Sequence, residues 1–589
     1  MRALSTVTHR KNWIRTAIKT NLSSSRSLLE LTSYRGVAMW WWADLEFDDF
    51  VDRLSRRKPA DELPGEFRVL KMVRRALAPK GRTYGELRNL VVNAVFFCMI
   101  VLSFFRLALE ISQKKVQPSL ARVPKIVFTS EDVEWRYVID EETGQIRKSD
   151  VFFDSIMRKL VAGYECIGVY PILRRKGLGP FLRGLRIARD KAHHWYVEHR
   201  PFDLYWSLDA RKAERDAYEH FKKIWSDLLR DAKFIELCDH ARKSMGPSVV
   251  SMLEYYFLHT FPAAVCHIAM AEHMIRKESP DLILLEEEYG TPFERALLVA
   301  AKRNRVPTLA VQHGDIHPYH PGYVSLRGQV SPEGSVDSPF CPIPDKTAVY
   351  GPYHRDFLTE IGYPQGSVDV TGQPRYDRLY HAHEIYSTEA FRERYGIGLN
   401  QRIVLWATQC HCFSAQENID YMTVVFEAMQ EVTGATLIIK QHPGERDIHT
   451  RMISECLADY RIKAVLTPKD SDTFEQLYVS DMLITTYSTT ATEAVALGKP
   501  VIILNLSERP ESTDYVAQGV AIGIREKDQL APAIVDLLRD ASRLSSNRQR
   551  FIEQYLYRID GEATQRIVKL ISAMIEDRTH ENATGVSRS

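Results

Sequence analysis

Short apolar runs rich in β-branched residues alternate with stretches of helical period in two separate parts of the chain. In the first part, "KIVFTS" (125–130) reads as a strand, "VFFDSIMRKLVAG" as a helix and "YECIGVY" as a strand. A long, charged, helical stretch from about 208 to 278 leads to the buried strand of "PDLILLEEEYG", the helix "TPFERALLVAAKRN" and the strand "TLAVQHG". The second part runs "RIVLWATQ", a helix around "DYMTVVFEAMQEVTG", "TLIIKQHP", "KAVLTP", the helix "TFEQLYVSD", "MLITTYS", the helix "TATEAVALGKP" and "VIILN". Strands joined through helices by short loops predict parallel βαβ units. The expected fold class is therefore α/β, with two Rossmann-like domains in tandem behind a helical, basic extension. Boundaries follow at 1–121 for the extension, 122–380 for the first domain with its helical insertion, 381–400 for a linker and 401–576 for the second domain. The last residues, 577–589, are expected to be a disordered tail.

Ligands of open parallel sheets sit outside the carboxyl ends of the strands, so the residues that stop the strands carry the chemistry. In the first domain these are Glu286, Glu287 and Glu288 after "LILL", and Gln312, His313 and Gly314 after "TLAV". In the second they are Thr408 and Gln409 after "VLWA", Lys440 to Glu445 after "TLII", and the hydroxyl-rich turn of Thr485, Thr486, Ser488, Thr489 and Thr490. Hydroxyls where a strand turns into a helix suit a phosphate. Thr490 and Glu493 also spell a capping box, which needs no ligand. Lys440 and His442 at a Pro-Gly turn of the same sheet would add donors for a diphosphate, with His442 as leaving-group stabiliser or general acid. Glu286 to Glu288 have a plainer alternative, charge at the N-terminus of the helix that begins near Thr291.

Composition narrows the class without naming it. At 589 residues, 45% hydrophobic and 26% charged, the chain is globular and has room for about three or four domains. A formal net charge of +2 argues against bulk nucleic-acid binding. The eight cysteines form no disulfide framework, which implies a reduced, intracellular setting. Cys410-His411-Cys412 lacks further ligands at recognisable spacing, and Asp470-Ser471-Asp472 is a short pattern best read as loop; no metal site is expected.

The strand-end "QHG", "VYGPYHRDFLTEIGYPQGSVDVTGQPRYDRL", "KQHPGE" and "SDMLITTYSTTATEAVALGKPVIILN" together resemble the GT-B glycosyltransferase superfold. Within it the chain is similar to enzymes of surface and capsule polysaccharide synthesis, including polysialyltransferases and CDP-glycerol glycerophosphotransferases. The resemblance spans about 122–576, with its specific motifs between 281 and 505. It implies catalytic roles for His313 and His442, matching the glycerophosphotransferase histidine motifs. It also assigns the polysialyltransferase His-Pro and Ser/Thr motifs to His442-Pro443 and Ser488-Thr489. The acidic-acidic-Gly motif is approximated by Glu287-Glu288-Tyr289-Gly290, with Tyr289 intervening. The full motif set of the UDP-GlcNAc 2-epimerases, which share the fold, is missing.

The resemblance further implies a nucleotide-activated donor in the second domain, a glycan or lipid-linked acceptor in the first, and neither metal nor other cofactor. The expected function is glycosyl transfer; alternatives are transfer of glycerol phosphate or sugar phosphate from a CDP-linked donor, and a catalytically silent scaffold of a polysaccharide assembly complex. Expected catalytic residues are His313, His442, Glu287 and Glu288; expected donor and phosphate ligands are Lys440, Thr408, Gln409, Ser488, Thr489, Thr490 and Glu493.

The N-terminal extension carries its own signal. Residues 1–35 hold Arg2, Arg10, Lys11, Arg15, Lys19, Arg26 and Arg35 against the single acid Glu30, with no apolar signal-peptide core. From Asn89 to Phe105 no residue is charged, and Arg88 and Arg106 bracket the run. A spanning helix needs about 20 apolar residues, so this run suits an interfacial helix with basic flanks at anionic headgroups, or a core helix. The first reading places the protein in the cytoplasm, peripheral at the inner face of the cell membrane. It predicts that the protein stays with membranes in high salt and leaves with detergent. Release by salt alone would mean that only the basic segments bind.

Overall fold

The computed structural model describes residues 22–42 and 123–584, apart from 24–25, 131–133, 140–145, 172–186, 188–189, 192–193, 195, 246–247, 287–290, 315, 317–322, 324–327, 329, 332–339, 443, 487 and 508–512. The apolar run 89–105 lies outside the described residues. Among the described residues no helix is long and apolar enough to cross a membrane.

Near the N-terminus, β1 (Ser33–Tyr34) and β2 (Val37–Ala38) form a two-stranded ribbon. The first large sheet has seven strands, all parallel: β3 (Lys125–Thr129), β6 (Glu165–Tyr170), β7 (Glu198–Pro201), β8 (Leu282–Leu285), β9 (Thr308–Val311), β10 (Lys346–Val349) and β11 (Val368–Val370). Their spatial order is β11-β10-β9-β8-β3-β6-β7. The second sheet has six parallel strands: β12 (Arg402–Ala407), β13 (Ala435–Lys440), β14 (Ala464–Leu466), β15 (Met482–Thr485), β16 (Val501–Leu504) and β17 (Ile522–Ile524), in the order β14-β13-β12-β15-β16-β17. Two parallel sheets with helices on both faces are the expected α/β pair. A hairpin of β4 (Trp135–Ile139) and β5 (Ile146–Asp150), antiparallel, stands just past the end of β3.

Both faces of the first sheet are buried, which is why its strands read as unbroken apolar runs. Ile126, Phe128, Leu282, Leu284, Leu309 and Val311 pack on one side with Phe152, Phe153 and Ile156. Val127, Ile283, Leu285 and Ala310 face the other, against Phe293, Leu297 and Met274. The two residue sets alternate along each strand, as pleating requires.

Two segments distant in sequence complete the first domain. Trp40, Trp41 and Trp42 are buried among Phe221, Tyr256 and Phe261 of the helical insertion, and Trp42 Nε1 donates to the Pro292 carbonyl at 3.2 Å. The last helix, Ala563–Thr584, leaves the second domain and lies on the first sheet. Residues 577–584, expected to begin the tail, continue this helix. Its stripe of Ile567, Ile571 and Ile575, one residue every fourth, enters the face occupied by Ile126 and Phe128. Arg566 Nε donates to the Thr371 carbonyl at 2.7 Å, and Arg578 Nη1 to that of Pro280 at 2.7 Å. Where β10 ends, Gly351 passes so close to the second domain that a Cβ would sit 2.4 Å from the Gln554 carbonyl oxygen. Tyr353 stacks on Tyr555 beside it at 4.4 Å.

The returning helix thus joins the two domains through packing. Replacing the fully buried Ile571 by alanine leaves a cavity in the shared core and should cost about 2–5 kcal/mol. The expected outcome is a lower unfolding midpoint in urea and earlier tryptic release of the C-terminal helix; an unchanged midpoint would show that the helix is not integral to the first domain.

Candidate active site

Strands β8 and β9 are parallel neighbours, with Leu285 paired to Ala310. Glu286, the first residue beyond β8, and His313, the second beyond β9, emerge side by side. His313 Nδ1 lies 2.5 Å from Glu286 Oε1. The arrangement is braced on all sides. Glu286 N donates to Thr129 Oγ1 at 2.9 Å, and the Tyr350 hydroxyl donates to the His313 carbonyl. Gln312 spans Gly314 O at 2.6 Å and Tyr350 N at 2.7 Å, while Phe152 stacks on the His313 ring at 5.4 Å. In the tautomer with Nδ1–H toward Glu286, Nε2 is the ring nitrogen able to accept a proton, as a base must.

Glu134, at the start of the hairpin, lies 3.7 Å from that Nε2. Arg136 Nη2 holds the same Glu134 oxygen at 3.0 Å. Burial pushes the Glu286 carboxyl up, to about 8, with the His313 hydrogen bond opposing. Burial also acts upward on Glu134, but Arg136, His313 and Arg375 outweigh it and hold this acid below its ordinary value. Glu134, Glu286 and His313 offer ligand atoms within 4.8 Å of one another. Arg136 serves Glu134, and the His313 ring serves Glu286.

Across the cleft, β12 and β13 end level, with Ala407 paired to Lys440. A buried glutamate ties the following loops together. Glu445 Oε1 accepts from Thr408 Oγ1 and from Cys410 N, both at 2.8 Å, and Oε2 accepts from Gln441 Nε2 at 3.0 Å. Thr408 is thus committed to the loop, and Gln409 is buried beside it. Lys440 Nζ donates to the carbonyls of Gln441 at 2.7 Å and Lys469 at 3.2 Å. Burial, with Arg136 adding to it, lowers the Lys440 ammonium to about 8.

The turn after His442 fixes its tautomer. Gly444 N donates to His442 Nδ1 at 3.0 Å, which places the ring proton on Nε2. His411 stacks on the ring at 4.2 Å. Burial, then His411, Arg136 and Lys440, depress His442 to about 4. At neutral pH it is an uncharged hydrogen-bond donor, which fits stabilisation of a leaving group and not general acid catalysis.

At the hydroxyl turn, Ser488 Oγ lies 2.9 Å from Thr490 Oγ1 and accepts from Thr490 N at 3.2 Å. Thr489 makes no side-chain cap to the helix Thr490–Ala496. Nor does Glu493 turn back as a capping box would; its carboxylate faces Arg375 Nη2 at 3.7 Å. Burial pushes Glu493 up to about 7, against the pull of Arg375, Arg136 and Lys440. Asp472 has a structural role, accepting from Phe474 N at 2.9 Å, Tyr386 Oη at 2.8 Å and Arg378 Nη2 at 3.0 Å.

His313, His442, Lys440 and Glu493 therefore belong to one cleft, linked electrostatically through Glu134 and Arg136. Glu287 and Glu288 lie outside the described residues. Among the described residues the acids at His313 are Glu286 and Glu134. Glu134, Arg136 and Arg375 were missed by strand-end reasoning, although "EDVEWRY" follows the end of β3 and Arg375 sits within "GQPRYD".

Residues 345–573 match the model of the family described as "CDP-Glycerol:Poly(glycerophosphate) glycerophosphotransferase". The chain is an enzyme of the transferase class. The transferase is 23% identical over 290 residues to the processive diacylglycerol beta-glucosyltransferase of Bacillus pumilus, covering 45% of this chain and 69% of that one. Among solved structures it is similar to S. aureus MnaA with UDP, at 17% identity and TM-score 0.46 over 77% of this chain and 97% of that one. It is also similar to a variant of the wall teichoic acid polymerase TagF, at 12% identity and TM-score 0.44 over 85% of this chain and all of that one, 100%.

The depressed Lys440 gives the transferase a pH signature. Its ammonium is charged below about 8 and neutral above, so affinity for a phosphate-bearing ligand should fall as pH rises through that value. Calorimetric titration with CDP and UDP between pH 6.5 and 9.5 should show the fall, and Lys440→Ala should remove it while weakening binding throughout.

Proposed function

We propose that the transferase moves a sugar from a nucleotide-sugar donor to a glycan or lipid-linked acceptor of surface-polysaccharide synthesis, with His313 as base and His442 at the leaving group. The observation that carries this reading is the Glu286–His313 hydrogen bond; with the ring proton on Nδ1, Nε2 is the nitrogen that takes the acceptor's proton. An acceptor hydroxyl gives its proton to Nε2 as its oxygen attacks the donor carbon. The bond from that carbon to the nucleotide's phosphate oxygen breaks, and Glu286 stabilises the imidazolium that forms. Negative charge on the departing nucleoside diphosphate meets the Nε2–H of His442, Lys440 and the hydroxyls of Ser488, Thr489 and Thr490. The groups that meet this charge are protein side chains, so the scheme calls for no metal.

A second reading is favoured by the match of residues 345–573 to the glycerophosphotransferase model. The same hydroxyl oxygen would attack phosphorus of a CDP-linked glycerol or sugar phosphate, and CMP would leave. The identity of the released nucleotide separates the two, diphosphate for sugar transfer and CMP for phosphoryl transfer. The braced His313 also supports chemistry over a silent scaffold. Attachment at the cytoplasmic membrane face would bring the cleft to a lipid-linked or growing acceptor.

His442→Ala should cost about 10²- to 10³-fold in turnover, the usual worth of an oxyanion-type donor, with the fold intact by circular dichroism. His313→Ala should lose turnover while nucleotide binding persists. Unchanged turnover in either variant would refute its role, and a wild-type protein that releases no nucleotide with any activated donor would refute the transfer reading.

A further inference from the structure

The hairpin β4–β5 belongs to the first domain, yet Arg136 on it acts on the second. Its guanidinium is anchored by Glu134 at 3.0 Å and remains about a third exposed. From there its charge reaches Lys440, His442 and Glu493, all three from the donor half. Arg375 approaches the same place from the crossover between the domains. Its Nη2 is 3.7 Å from Glu493 Oε1, and its guanidinium lies over the Phe474 ring at 5.5 Å. Arg375 thus faces one buried second-domain carboxylate, on which the charges of Arg136 and Lys440 also act, with Glu134 as the first-domain counter-charge.

We propose that Arg136 and Arg375 are ligands of the donor's phosphate oxygens, so that a nucleotide-activated donor is held by both domains and not by the second alone. Glu493 faces Arg375 and Glu134 holds Arg136, and an incoming diphosphate takes both arginines over. Planar guanidinium groups match phosphate oxygens in paired geometry, which a lysine does not reproduce. Binding the donor then draws the hairpin toward His442, setting Glu134 and the neighbouring His313 at the reacting atom. The inference rests on the donor reading above and adds a class of contact that it lacks, phosphate ligands supplied by the acceptor domain and the crossover.

Calorimetry on the full-length protein tests it, with CDP and UDP against cytidine and uridine as probes. Arg136→Ala and Arg375→Ala should each bind the preferred nucleoside diphosphate about 10- to 100-fold more weakly, the worth of one charged hydrogen bond. Affinity for the bare nucleoside should not change, and Arg136→Lys should recover only part of the loss. A merely structural arginine would shift nucleoside and diphosphate together. Diphosphate affinity equal to wild type in both alanine variants would overturn the proposal. Should Arg375→Ala fail to fold, the part-exposed Arg136 decides the matter alone. Wild-type protein that binds no nucleotide would overturn the donor reading itself, a result visible before any variant is made.

Discussion

A carboxylate at the buried end of a parallel strand has to be neutralised, and in this chain His313 does it. Leaving an ionised Glu286 unpaired in that position would cost several kcal/mol, whereas a charge-assisted hydrogen bond is about twice as strong as a neutral one. The pair exists because β8 and β9 are parallel neighbours that end at the same level. Thr129, Phe152, Gln312 and Tyr350 surround it from four different elements. Remove the pair and those groups lose the reason for their placement. Keep it, and the imidazole has one orientation, with one nitrogen directed at the cleft.

The opposite wall obeys the same logic with the sign reversed. His442 is kept uncharged by burial and by the cations near it, and the Gly444 amide decides which nitrogen carries its proton. The proposed mechanism uses one histidine as proton acceptor and the other as hydrogen-bond donor, a difference made by their neighbours. Glu445 fixes the donor-side loops and Glu286 the acceptor-side ring. Between them the crossover residue Arg375 and the returning helix Ala563–Thr584 tie the walls together, so that the separation of the two histidines depends on packing remote from both.

Much of this was legible in the chain. Runs such as "LILL", "TLAV" and "TLII" can only be strands buried on both faces, and the residues that stop them include His313, Lys440 and His442. What sequence pattern did not reveal has a physical cause in each case. The capping-box reading of Thr490 and Glu493 is local, but Glu493 finds a partner 118 positions away in Arg375. Glu286 reads like any strand-end acid in the chain, and the register of β8 against β9 is what sets it beside His313. The hairpin bearing Glu134 and Arg136 breaks its apolar residues with charge, as in "EDVEWRY", and so offers no uninterrupted run to read as a core strand. Thr408 ends a strand as a ligand would, yet its hydroxyl is already spent on Glu445.

The central claim is that Glu286 makes His313 a base, and the pH profile of kcat/KM in wild type and Glu286→Gln tests it most directly. Burial raises the proton affinity of the pair, so the wild-type profile should climb with an ascending limb well above the ordinary carboxylate range. With an uncharged amide at position 286 the imidazole loses its counter-charge. The limb should then move to lower pH, and the plateau should drop by about 10²- to 10⁴-fold, the usual worth of general base catalysis. A Glu286→Gln profile that superimposes on wild type, in both midpoint and height, would contradict the account.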